Sequence, residues 1–540
     1  MIIIIQNQRV LCRALLFVIF VLLAKSANAQ LLQNLLIGNP KAIALGNAVT
    51  ADPPGIDSIH FNPAGLSRLQ GRQMHIKFFA ADVELTGEFR SNEEYSRLLD
   101  EHNEVDSIAD TTSTVDGFAF YSPISGITEV PMTAGALGGA SYAPPDSKFV
   151  FATAVYAPLI GGYIRSEDDP GRYYGKEAAV SRLTFLSPTF SYEVSPNLTV
   201  GAGIGLSYFG AGISIDFRAP NMALGGVKDI TDAACAGEDN GIVFEGEIPI
   251  DFCGGNISPF EKLLTLEANM EKTLSLTYNM GFLWEATPWL TIGGAYQSEA
   301  VDDLEGDVLI VIDESLLGFT QGLADSNPIF EALIQALELT ENDSRIETKG
   351  NLEFTLPAHA ALGFSVQLTP TIKFNVDWKW TQTSKFDSLT FHVDDPIPLL
   401  GLLDEIGVEN VTATSLTIPR GYEDATNFAY GVENQYSDTT AIRFGYEPRR
   451  TGIPKNKMDF LIPVGDFDLY GFGVSYKLDK ESILDISLAY AKSEIDVPAG
   501  SSTNGNDLRP DNFVYNPSAG MDVSATLVVT ILEIGYRTQF

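Results

Sequence analysis

Strict period-2 alternation, recurring along most of the chain, limits the fold more than any other feature of the sequence. Ile372, Phe374, Val376, Trp378 and Trp380 share one face of an extended segment, while Lys373, Asn375, Asp377 and Lys379 share the other. One face suits lipid and the other water. Ile442, Phe444 and Tyr446 likewise oppose Arg443, Gly445 and Glu447, and Leu484, Ile486, Leu488 and Tyr490 oppose Asp485, Ser487 and Ala489. The last segment places Leu532, Ile534, Tyr536, Thr538 and Phe540 on one face, with Glu533, Arg537 and Gln539 on the other.

A soluble β-sandwich can alternate in the same way, so the connections between segments carry the distinction. Pro144-Pro145-Asp146-Ser147, Ser195-Pro196-Asn197, Thr287-Pro288, Thr369-Pro370, Ser437-Asp438-Thr439 and Leu478-Asp479-Lys480 read as tight turns. Between them fall long connections over 86–131, 159–179, 218–271, 303–346, 392–424, 449–465 and 493–523. Short turns alternating with long loops give about fourteen strands with both termini at the short-turn end, the asymmetry of outer-membrane barrels. The expected fold is therefore an all-β transmembrane barrel of about 14 antiparallel strands.

The start of the chain agrees with export. Arg9 and Arg13 precede an apolar run over 14–24 that is too short to cross a bilayer, and Ala27-Asn28-Ala29 fits a cleavage site, so 1–29 reads as a signal peptide. No later segment is apolar for long enough to be a transmembrane helix. The formal net charge of the full chain is −36, and removing Arg9, Arg13 and Lys25 makes the mature chain three units more negative. Nucleic acid is a poor partner for such a surface.

Residues 30–72 fit neither strand nor ordinary helix and are expected to form a plug, ahead of a barrel over 73–540. In Phe61-Asn62-Pro63-Ala64-Gly65-Leu66, Pro63 fixes its own φ, pushes Asn62 out of the helical region, and Gly65 relaxes the next bend. A surface turn capped by Asn62 would use the same residues.

This motif, the strand parity, Ala441-Ile442-Arg443-Phe444-Gly445-Tyr446 followed by Gly452-Ile453-Pro454, and the terminal Phe540 together resemble the FadL/TodX-type outer-membrane long-chain fatty acid and hydrocarbon transporters. The resemblance implies a hatch at Phe61 to Leu66 and passive import of long-chain fatty acids or similar hydrophobic compounds, followed by sideways release into the membrane. It also implies a kink in the third strand, expected here at Pro158, Gly161 and Gly162, and a substrate-docking groove on two outer loops, 218–271 and 303–346. Helix-period stripes in those loops supply the groove candidates: Phe260, Leu263 and Leu264 in one, and Leu316, Leu317, Phe319, Phe330, Leu333 and Leu337 in the other. Such stripes also serve simply to pack loops together. Phe540 looks like the signal read by the barrel-assembly machinery.

Alternation turns Arg443 inward, which makes it a head-group candidate for an acidic substrate. Arg182, Arg165 and Arg172 are weaker ones. Cys235 and Cys253 fall in one loop and are expected to form a disulfide. The histidines make no metal-spaced pair, no serine sits in a nucleophile elbow, and no dinucleotide fingerprint is present, so no enzyme activity, cofactor or metal is expected. The expected partners are hydrophobic small molecules, outer-membrane lipids and lipopolysaccharide around a monomer. An aromatic hydrocarbon channel and a structural or adhesin-like barrel are the alternatives.

Overall fold

The computed structural model describes residues 38–101, 105–130, 133–218, 220, 242–244, 248–250, 258–326, 328–336, 344–405, 409–507 and 516–540. The signal peptide, Cys235, Cys253 and Leu337 lie outside the described residues. No helix among the described residues is long and apolar enough to cross a membrane. The strands do so instead.

Fourteen antiparallel strands form one closed sheet. The first three are β1 (Gly71–Arg90), β2 (Thr133–Ala143) and β3 (Phe149–Ile164). β4 runs in two pieces, Glu177–Leu186 and Thr189–Ser195, before β5 (Leu198–Phe217) and β6 (Leu264–Thr287). β7 (Leu290–Gln297 and Ala300–Ile312), β8 (Arg345–Leu356 and His359–Gln367), β9 (Ile372–Thr381 and Ser388–Val393) and β10 (Ser415–Pro419 and Ala425–Gln435) are also broken in two. β11 (Thr440–Arg449), β12 (Phe467–Lys477), β13 (Ser482–Val497) and β14 (Asp522–Gln539) complete the wall. β14 pairs back onto β1 from Gln73 opposite Gln539 to Arg90 opposite Asp522, which removes the sheet's free edges. All six turns read from the sequence join consecutive strands at one end.

The alternation changes meaning partway up the wall. At the short-turn end of β1, Met74, Ile76 and Phe78 face outward, and the inward residues are Gln73, His75 and Lys77. Further up, the outward residues are Asp82, Glu84 and Glu88, and the inward ones are Phe79, Ala81, Leu85 and Phe89. The other end of the chain repeats the change: in β14 the inward face passes from Val523, Ala525, Leu527, Val529 and Ile531 to Glu533. A wall that is apolar outside and polar inside suits the bilayer, and the inverted half suits a body standing in water around an apolar core. The lumen thus has a charged lower layer and an apolar upper layer.

This inversion corrects two sequence expectations. The outer connections are shorter than read, because β6 already begins at Leu264 and β7 continues to Ile312. The segment holding Phe260, Leu263 and Leu264 is not a helix: Leu264 opens a strand in which Leu266, Ala268 and Met270 point into the core while Glu267 and Asn269 alternate with them. A two-residue period with its apolar face inward replaces the expected helical stripe. The second loop is helical as expected, over Glu314–Ser326 and Pro328–Ala336.

Candidate functional site

The segment from Gly38 to Gln70 packs against residues of β5, β6, β7, β9 and β11, and local chemistry sets its path. Asn39 caps the helix Pro40–Ala44, its Oδ1 accepting from the Ala42 N–H at 2.9 Å, while its Nδ2 donates to Asp57 Oδ2 at 2.6 Å. After the short helix Ser58–Phe61, Asn62 turns extended and caps the 3₁₀ helix Pro63–Arg68, with Pro63 at the first position, where no N–H is needed. Asn62 Nδ2 donates to the Thr50 carbonyl at 2.8 Å and to the Phe282 carbonyl of β6 at 3.0 Å. Asn62, Ala64 and Leu66 are fully buried. One amide therefore fastens two turns of the segment to each other and to the wall.

Wall glycines make the seat. A Cβ on Gly201 would meet the backbone of Pro63 and Ala64, one on Gly445 the backbone of Leu45 and Gly46, and one on Gly293 the backbone of Thr50 and Ala51. These three lie on β5, β11 and β7, so the approach is close on several sides.

Charge pairs fix the register. Lys77 Nζ lies 2.8 Å from Asp57 Oδ1, and His75 Nδ1 lies 3.3 Å from the other oxygen. Asp52 holds Lys41 at 2.8 Å and Lys373 of β9 at 3.1 Å, and Asn47 Nδ2 donates to Glu447 Oε2 at 3.0 Å. Burial alone would raise the Asp57 carboxyl, but Lys77 and His75 outweigh it and hold it well below the carboxylate range. Burial pushes the His60 imidazole down to about 3, so it is neutral.

Above this layer lies a cavity of about 280 Å³. Leu85, Ile160, Leu352, Phe354, Phe391 and Leu527 are among its lining residues, and among the described residues only Tyr163, Thr355 and Thr383 bring hydroxyls to it. Among the described residues no carboxylate, ammonium, guanidinium or imidazole group lines it. Beneath it a polar space of about 30 Å³ adjoins the segment, lined by His60, Tyr156, Pro158, Arg182, Asn279 and Gln297 among others; Leu356 and Pro357 border both spaces. Most of the cavity residues were not singled out in the sequence. Their signal is the phase inversion of β1, β6 and β14, which shows only when outward and inward residues are compared along a whole strand.

The third strand borders this cavity. β3 pairs with β2 only from Phe151 opposite Tyr142 to Val155 opposite Gly138, so among the described residues Tyr156 to Ile160 have no ladder partner on that side. On its other side a bulge falls between Tyr156 and Leu159, around Pro158, which cannot donate. Gly161 and Gly162 line the cavity directly.

The remaining sequence candidates are scattered. Arg443 points inward but lies in the charged layer, Nε 2.6 Å from Glu433 and Nη1 3.3 Å from Asp485, and does not line the apolar cavity. Two carboxylates occupy its guanidinium, so this position serves the lower layer's charge balance better than a ligand head group. Arg182 borders the polar space and pairs with Asp302 at 2.9 Å, while Arg165 stacks 4.0 Å from the Tyr163 ring centroid and Arg172 lies 3.5 Å from Asp216. Phe260 is buried in the main core, and Leu317 packs with Ile312, Ala324 and Ile334. Leu316 packs against that same cluster, Phe319 lies on the same helix, and Phe330 and Leu333 lie on the next.

The family described as outer membrane protein transport protein (OMPP1/FadL/TodX) matches residues 18–540. A FadL homologue of Pseudomonas aeruginosa superposes with a TM-score of 0.63 at 16% identity, covering 96% of this chain and 99% of that one. The toluene transporter TbuX of Ralstonia pickettii gives 0.56 at 14%, covering 94% and 99%, and the toluene transporter TodX of Pseudomonas putida gives 0.56 at 12%, covering 95% and 100%. No curated protein matches the chain.

Proposed function

Since the chain belongs to the OMPP1/FadL/TodX family of outer-membrane transporters of hydrophobic compounds, we propose that it imports long-chain fatty acids or molecules of similar shape by passive diffusion, with the N-terminal segment as a hatch. The observation that carries this reading is the apolar cavity resting on the hydrogen-bonded, charged layer. An alkyl chain gains about 0.8 kcal/mol per methylene removed from water, so a lining of aliphatic and aromatic side chains holds it without a charged anchor. Nothing in this scheme draws on an energy source.

The same arithmetic favours sideways release. A molecule pushed down through the hatch would rehydrate every methylene, whereas the unpaired stretch of β3 beside Pro158, Gly161 and Gly162 offers a dry route to the bilayer. Arg182, which borders the polar space beneath the cavity, takes the place of Arg443 as the guanidinium candidate for an acidic head group. Competition on the purified protein tests the substrate: a fluorescent long-chain fatty acid should be displaced by unlabelled fatty acid at far lower concentration than by toluene. Preferential displacement by toluene would assign the cavity to aromatic hydrocarbons instead.

A further inference from the structure

The barrel wall also breaks on the side where β6 meets β7. Below it the two strands pair from Thr287 opposite Leu290 to Asn279 opposite Gln297, and above it from Glu271 opposite Glu305 to Leu264 opposite Ile312. Between these ladders, residues 272–278 and 298–304 make no ladder pair with each other among the described residues. The register is the same above and below, so the strands have not slipped. They part and rejoin.

Two features mark the break. On its other side β6 carries a bulge between Lys272 and Ser275, where its register against β5 shifts, and the bulge bends the strand. Arg182 of β4 reaches into the break and holds both of its edges: Nη1 donates to Asp302 Oδ2 of β7 at 2.9 Å, and Nη2 lies 2.6 Å from Ser275 Oγ of β6. Ser275 Oγ in turn donates to Asp302 Oδ2 at 2.6 Å. All three side chains are buried. The lower lintel is the Ser298 N–H donating to the Tyr278 carbonyl at 2.9 Å.

The two mouths of the break differ. Outside, the rim is apolar and uncovered, with Leu274 51%, Leu276 57% and Val301 59% exposed. Inside, Arg182, Thr277 and Ser298 line the polar space that shares Leu356 and Pro357 with the apolar cavity. Open backbone beside lipid is tolerated only where it lines a cavity.

We propose that this break is a second lateral opening for hydrophobic molecules, separate from the one at the third strand, with the Arg182–Asp302–Ser275 cluster as its latch. The proposal rests on the transport reading. A molecule that sinks to the lower end of the cavity meets the latch in the same polar space that His60 of the N-terminal segment lines, and parting residues 272–277 from 299–304 disrupts no ladder bond between them.

Tying the break shut tests the proposal. Cysteines placed by Leu276→Cys and Val301→Cys stand on the exposed outer rims of the two edges, and a short reducible bis-thiol reagent would bridge them. Uptake of a radiolabelled long-chain fatty acid by cells expressing the bridged protein should fall about twofold or more and return on reduction, with each single-cysteine variant unaffected by the reagent. Ser275→Ala, which loosens the latch but keeps the ion pair, should speed uptake about twofold. Full bridging with unchanged uptake overturns the second opening, and Ser275→Ala with unchanged or slower uptake overturns the latch. If the untied protein gives no uptake above cells lacking it, the transport reading itself fails.

Discussion

Lys77 Nζ on the first strand lies 2.8 Å from Asp57 Oδ1 on the N-terminal segment, and both side chains are almost completely buried. Neither charge is stable there alone, so the pair couples the position of the segment to the wall. Asp57→Ala leaves Lys77 without this acid and should cost about 3–5 kcal/mol of seating. In planar bilayers the variant should show frequent conducting events where the native protein is nearly silent. Native-like silence would mean that the pair does not hold the segment.

Acid should loosen the same contact. Asp57 has a folded-state pKa below its unfolded value, so its contribution is present above about pH 4 and is lost as pH falls toward the lower, folded-state value. His60, held down to about 3 by burial, binds its proton more readily when released, which weakens seating progressively as pH falls from about 6.5 toward 3. Conductance should therefore rise between pH 7 and pH 4, and His60→Gln should flatten the upper part of that rise. A profile that is level across this range would remove the titration argument.

Asn62→Ala deprives two carbonyls, of Thr50 and Phe282, of their side-chain donor. Each buried acceptor left unpaired costs about 1–3 kcal/mol. Uptake should drop several-fold while heat-modifiable migration on gels shows a normally folded barrel. Loss of the folded band together with uptake would place Asn62 in assembly instead.

Gly445 tests the seat from the wall side, since a Cβ there would meet the backbone of Leu45 and Gly46. Gly445→Val should fold as a barrel yet conduct, because Val suits a strand but leaves the segment no room. A folded, closed variant would show that the segment can shift to accommodate a side chain.

Much of this architecture was legible in the sequence. Ile372 to Trp380 gave a lipid face and a water face, and the six Pro- and Asp-bearing turns gave parity and orientation. What failed was the assumption that apolar residues always face lipid. Leu266, Ala268 and Met270 face inward in the upper wall, and the spacing of Phe260, Leu263 and Leu264 just before them fits a helical period equally well. Arg443 was correctly turned inward, but alternation cannot show that Glu433 and Asp485 are waiting there. The break between β6 and β7 left no local mark, because a ladder gap is a property of two strands and both keep their individual patterns.

The apolar cavity as the holding site for substrate is the central claim, and one charge placed in it is the most direct test. Leu352→Glu puts a carboxylate into a lining that, among the described residues, has no cation to meet it. Binding of a fluorescent long-chain fatty acid to purified, heat-modifiable protein should weaken about tenfold or more, while the same change at outward-facing Leu488 leaves it intact. Undiminished binding to the Leu352→Glu protein would mean that the substrate is held elsewhere.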